Sequence, residues 1–194
     1  LFKDNADTVK QYAADAYKTA GLSANDYMQS VTGFSASLLQ GLGGDTAKAA
    51  EVANMALVDM SDNANKMGSD MGSIQNAYQG FAKQNYTMLD NLKLGYGGTK
   101  SEMERLLKDA EKFSGVKYDI DNLSDVYNAI HVIQGELDIT GTTAKEASTT
   151  ISGSMDSMKS SFQNVLADLA LGNDLSASMQ GLGDSIAAVA QNII

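Results

Sequence analysis

The residues whose types and spacing could do chemistry are few, and each candidate fails at a named position. Gly97-Gly98-Thr99-Lys100-Ser101 has the glycines and the lysine of a phosphate-cradling loop. That loop requires Gly immediately before the Lys, and Thr99 stands there instead. No strand pattern leads into it, so it reads as a glycine loop entering a capped helix. Asp119, Asp121 and Asp125 have the opening spacing of a calcium loop, which needs Gly at its sixth place and Glu at its twelfth. Ser124 and Ile130 occupy those places. Asp59, Ser61, Asn63 and Asp70 fail likewise, with Ala64 where Gly is required. Both acidic stretches read as solvated turns. His131 is the only histidine, too little for a triad or a zinc site. It reads as a helix-flank or interface histidine beside Ile130 and Ile133. Glu102 and Glu104 are two apart on a helix and point to different faces. The sequence therefore predicts no catalytic residue, no cofactor and no metal.

Composition narrows the class. The 194 residues include no Pro, no Cys and no Trp. Without Pro, the main helix-breaking residue is missing. Without Cys, disulfides, thiol catalysis and thiolate metal sites are excluded. Ala, Met and Lys favour helix, whereas Ser and Asp favour caps and turns. The 14 basic and 24 acidic residues give a formal charge of −10, with no basic cluster, so specific nucleic-acid binding is not expected. No run reaches the roughly 18 apolar residues that span a bilayer, and no signal peptide is present. Stable membrane insertion is not expected. The chain starts at Leu1 and ends on Ile194, and reads as a piece of something longer.

Helical periodicity then organises the chain. Val9, Tyr12, Ala13, Ala16 and Tyr17 share a face ended by Gly21. Ser23 with Asp26 opens a helix carrying Tyr27, Val31, Phe34, Leu38 and Leu39, stopped at Gly41–Gly44. Asp45 or Thr46 caps the next. Ala53, Leu57, Met60, Ala64, Met67, Met71, Ile74, Tyr78 and Phe81 alternate steps of four and three, a heptad seam. Gly68 and Gly72 predict a break within it. Thr87 is placed to cap a short helix with Met88, Leu89 and Leu92. Thr99 with Glu102 opens the stripe Met103, Leu106, Leu107, Ala110 and Phe113, closed by Gly115. Asn122 opens Val126, Ile130, Ile133 and Leu137. Gly141 precedes a cap at Thr143 with Glu146.

Two more seams follow. One runs through Ile151, Met155, Met158, Phe162, Val165 and Leu169. After Gly172 the other runs through Leu175, Met179, Leu182, Ile186, Val189 and Ile193. Each spans about three heptads and needs a partner helix. Ordinary packing inside the chain and self-association of identical chains, as a dimer or trimer, both satisfy that need.

One long stretch is more distinctive than any motif. Asp59–Glu111 reads DMSDNANKMGSDMGSIQNAYQGFAKQNYTMLDNLKLGYGGTKSEMERLLKDAE. It resembles the core region of tail tape measure proteins of siphophages and prophages of Gram-positive bacteria. The likeness continues through YDIDNLSDVYNAIHVIQ (Tyr118–Gln134), ITGTTAKEAS (Ile139–Ser148) and SMKSSFQN (Ser157–Asn164), covering about residues 30–170. The resemblance implies a structural role in tail length determination and tail assembly, and in DNA passage at infection. It implies tail-tube protein, tail assembly chaperones and distal tail or baseplate proteins as partners. It also implies the virion tail lumen as location, after synthesis in the bacterial host cytoplasm. The family has no catalytic residues to transfer. The alternative is a membrane-active, pore-forming or secreted effector domain that deploys residues 151–194.

The expected fold is all-α, an elongated or loosely globular array of about seven to ten helices without sheet. The expected division is an N-terminal helix over 1–22, a tape-measure-like core over 23–170 and a C-terminal amphipathic helix over 171–194.

Overall fold

The computed structural model describes residues 2–193. Among the described residues there are ten α-helices and no strand, so the fold is all-α. The helices are α1 (Ala6–Thr19), α2 (Ala24–Thr32), α3 (Ser35–Gly41), α4 (Thr46–Met67), α5 (Met71–Phe81), α6 (Lys100–Ser114), α7 (Leu123–Glu136), α8 (Thr142–Thr149), α9 (Ile151–Leu171) and α10 (Ser176–Ile193). They gather into two compact units. One comprises residues up to Ala6 with Ser30–Thr140, the other Asp7–Gln29 with the chain from Gly141 onward. This differs from a division at 22 and 170, because the helix near the N-terminus packs with the C-terminal helices, a pairing no local pattern announces.

In the first unit, α4 begins where the Asp45 carboxylate accepts from the Lys48 N–H, leaving a negative group at the positive helix end. It stops at Gly68, whose φ of 60° is the left-handed conformation that glycine adopts without strain. Asp70 then caps α5, so the expected break in the long seam is present, with Gly72 inside the new helix. Ala53, Leu57, Met60, Ile74, Tyr78 and Phe81 from that seam are buried. So are Met103, Leu106, Leu107 and Ala110 of α6 and Val126, Ile130 and Ile133 of α7. Thr99 and Asn122 cap α6 and α7 through their side chains. Phe113 and Leu137, expected at the ends of these stripes, are exposed instead.

An aromatic cluster joins four parts of this unit. The ring centroids of Tyr78 and Tyr127 lie 5.0 Å apart, Phe34 meets Tyr127 edge-on at 5.6 Å, and Phe81 stacks on Tyr86 at 6.0 Å. Offset and edge-on pairs of this kind add roughly 0.5–1.5 kcal/mol each beyond area burial.

Three local expectations are corrected. The helix expected from Ser23 to Gly41 is two helices. Phe34 leaves helical geometry at φ −130°, ψ −5°, and its ring enters the aromatic cluster. Thr87 caps nothing: its hydroxyl donates to Asn85 Oδ1, and Leu89–Leu92 is a 3-10 turn. The N-cap position of α8 is Gly141 at φ 83°, with Thr143 already inside the helix.

The second unit is built on α9 and α10, which pack on each other and both touch α8. Small residues allow the close approach. A methyl group added at Gly153 would lie 2.5 Å from the Glu146 carbonyl, where α9 crosses α8. One added at Gly181 would lie 3.0 Å from the Tyr17 hydroxyl. Ser161 of α9 and Ser185 of α10 share a buried hydrogen bond of 2.7 Å.

Candidate functional site

The two C-terminal seams are present as stripes, but they do not form the core between α9 and α10. The inward side of α9 is Ser154, Ser157, Ser160, Ser161 and Asn164, all buried. Ser154 donates to the Thr150 carbonyl, Ser160 donates to the Gly21 carbonyl and Asn164 accepts from the Ala24 N–H. On the opposite side, at 100° per residue, Ile151, Met155, Phe162, Leu166 and Leu169 fall within about 60° of one another. All five are exposed, Phe162 at 49% and Leu169 at 62%. Of the α9 seam only Val165 is buried, and Met158 sits half-buried at the edge. On α10, Met179, Ile186 and Ile193 are exposed, whereas Leu182 and Val189, like Leu175 just before the helix, are half-buried. The helices are thus polar where they meet and apolar where they face solvent.

The groups suspected of chemistry are occupied by the protein itself. In the Gly95–Ser101 loop, the Gly97 N–H donates to Glu102 Oε2 at 2.9 Å, so the protein's own carboxylate holds the place of an anion. Arg105 grips the same carboxylate at 2.6 Å and lies 4.3 Å above the Tyr96 ring. The Arg105 hydrogen bond, followed by that from Gly97, holds the Glu102 carboxyl at about 2. A methyl at Gly98 would collide with the Thr87 carbonyl, so the loop is shaped by close backbone approach. Asp119 and Asp121 are exposed in the turn before α7, whereas Asp125 lies half-buried in the first turn of that helix and Ser124 is buried; the Asp125 and Asp119 carboxylates accept from the Asp119 and Asp121 N–H groups. Among the described residues, no group of three or more His, Cys, Asp or Glu could hold a metal ion.

The stretch from Asp59 to Asn63 is not a solvated turn. It lies within α4, with Asp59, Ser61, Asp62 and Asn63 all buried. Asp59 reaches His131 of α7: its Oδ1 and Oδ2 lie 2.9 and 3.0 Å from the His131 Nδ1. Burial pushes the Asp59 carboxyl up to about 6, against the opposing effect of the His131 hydrogen bond. That same hydrogen bond raises the imidazole pKa, against burial. Around them Tyr127 donates to the Tyr78 carbonyl, and Gln134 Nε2 donates to the Tyr78 hydroxyl. Asn63 donates to the Leu92 carbonyl, while Asn63 Oδ1 and Gln134 Oε1 accept no hydrogen bond. The pair holds α4 to α7. His131 is therefore the outer half of a buried ion pair. The signal for it was a lone His beside an apolar stripe and an Asp on a seam-bearing helix, which sequence distance alone could not connect.

A groove of about 500 Å³ in the second unit is lined by several alanines together with Tyr17, Met28, Asn164 and Leu171. Its lining also mixes Lys10 and Lys18 with Asp15, Asp168 and Asp184, so it selects no ligand charge. No helix among the described residues is long and apolar enough to cross a membrane. No protein-family model, curated protein or solved structure matches the chain.

Proposed function

We propose that the chain is a structural module of a phage tail tape measure protein, acting in tail length determination and assembly. The reading starts from the resemblance of residues 30–170 and places the chain in the tail lumen, among tail-tube protein, assembly chaperones and distal tail or baseplate proteins. One geometric observation supports an assembly role in particular: α9 and α10 turn their large apolar side chains outward while small polar residues fill the space between them. Such a surface suits a chain that is covered by protein in its working state. The polar groups elsewhere are consumed in caps and in the Asp59–His131 pair rather than gathered around an open cleft.

The same outward stripe is what a membrane-active domain would show, which makes that the second reading. Its charge argues the other way. The segment 151–193 carries Asp156, Asp168, Asp174 and Asp184 against Lys159 alone, whereas interfacial helices carry basic flanks. The reading of neighbouring open reading frames separates the two. A tail-tube gene and a frameshifted chaperone gene upstream are expected. A toxin-secretion locus would contradict the proposal.

A further inference from the structure

We infer that α6 and α7 form a poised hairpin, latched to α4 by the Asp59–His131 pair and released as the pH rises past neutral. The packing within the first unit allows such a release. α6 packs chiefly on α7, and it is α7 that seats the hairpin on α3 and α4. The loop 95–98 is knit to α6 and moves with it. Arg105 donates to the Gly95 carbonyl, the Gly97 N–H donates to Glu102, and the Tyr96 hydroxyl donates to Asp109. Left-handed residues bracket the segment, Lys93 and Gly95 before it and Asp138 and Gly141 after it. A few such turn positions are where a hinge takes up its change of dihedral angle.

The seat on α4 is polar and incompletely paired. Asp59 is buried there, whereas the His131 side chain is 40% exposed and exchanges protons with water. Asn63 Oδ1 and Gln134 Oε1, on the same two helices, are buried and accept no hydrogen bond. The remaining ties run from the Tyr127 hydroxyl to the Tyr78 carbonyl, from the Gln134 amide to the Tyr78 hydroxyl and from the Tyr86 hydroxyl to the Ile120 carbonyl. Burial raises these three phenols above their ordinary range, so none titrates near neutral pH. Asp62 of α4 and Tyr78 of α5 are the other titratable groups near the pair. α3 carries none, and Lys3, Asp4 and Asp90, on the short turns packed against α4, are exposed. Only His131 therefore brings a positive charge to Asp59. When the imidazole loses its proton, the carboxylate is left buried against a neutral ring, with Asp62 adding like charge. The least costly response is for α7 to lift and admit water. Both groups hold their protons more firmly in the closed form, so proton loss favours the open one.

Nothing in this latch depends on a tail. Hydrogen exchange of the full chain, read by mass spectrometry between pH 6 and 8, tests it. Protection factors over α6 and α7 are expected to fall at least about tenfold across that range, as a local opening does, while those over α9 and α10 change less than about twofold. Asp59→Asn keeps the shape and removes the titrating charge. In that variant the protection of α6 and α7 is expected to be independent of pH. The unsubstituted chain supplies the primary readout, so a poorly folding variant does not remove the test. A fall of equal size in every helix, or no fall over α6 and α7, overturns the inference. So does an Asp59→Asn chain that keeps the full tenfold loss.

Discussion

The Asp59 carboxylate, 1% exposed, lies 2.9 Å from the imidazole Nδ1 of His131, 72 residues along the chain. This pair ties α4 to α7 through a group that is costly to bury charged. The Asp59 carboxyl rises from 3.8 to about 6, and His131 rises above 6.5. The signs of the two contributions agree. The folded state holds a proton on Asp59 between about pH 4 and 6 that the unfolded chain has lost. The stabilisation from His131 is full below its unfolded value and disappears as pH rises through its folded one. Stability should therefore fall as pH rises from about 4 to 8, opposite to ordinary acid denaturation; the Asp59 share is about 3 kcal/mol over that whole range, of which about 1 kcal/mol falls above pH 5.5. Glu102, Asp109 and Asp174 have lowered values and titrate below this window. Urea midpoints at pH 5.5 and 8.0 measure the effect. A higher midpoint at pH 8.0 contradicts it.

Removing His131 should cost more than neutralising Asp59. His131→Ala leaves a buried carboxylate without its donor and should destabilise by about 3 kcal/mol at pH 7.5. Asp59→Asn keeps the shape without the charge, should cost less, and should flatten the pH dependence. Equal losses in both variants, with the pH slope retained, would show that the pair is mere packing.

Two glycines give a test of sign. Gly→Ala within a helix ordinarily gains about 1 kcal/mol. At Gly153 the added methyl meets the Glu146 carbonyl at 2.5 Å, so Gly153→Ala should destabilise by about 1–3 kcal/mol. Gly135 has open space around it and should follow the ordinary rule. Thermal unfolding of the two variants decides. A stabilising Gly153→Ala contradicts the close crossing of α8 and α9.

The inverted hairpin makes a comparable prediction. Ser161→Leu, an apolar gain in sequence terms, should cost about 1–3 kcal/mol, since Ser161 is buried against Ser185. Leu169→Gln, an apolar loss, should stay within about 0.5 kcal/mol, since Leu169 is exposed. The reverse order would place the heptad seam inside.

These cases also mark what could be read from the residues. Caps at Asp45, Thr99 and Asn122 and stops at Gly68, Gly115 and Gly172 were legible because they depend on local backbone needs. The buried halves of α4 to α7 were legible because large apolar side chains had no competing face. In α9 two stripes share one period, one of Ser and Asn and one of Ile, Met, Phe and Leu. Periodicity locates both and cannot say which turns inward. Contacts made only in the packed unit, Gly153 against Glu146, Ser160 on the Gly21 carbonyl and Ser161 on Ser185, made that choice. The Asp59–His131 pair was illegible for another reason, since it exists only once α4 and α7 are packed.

The central claim is that this segment is a module of a tail ruler. In-frame duplication of the segment in a phage that encodes it, with tail length measured by electron microscopy, tests it most directly. If the added 194 residues extend as helix at about 1.5 Å per residue, tails should lengthen by up to roughly 290 Å. Tails of unchanged length would contradict the account.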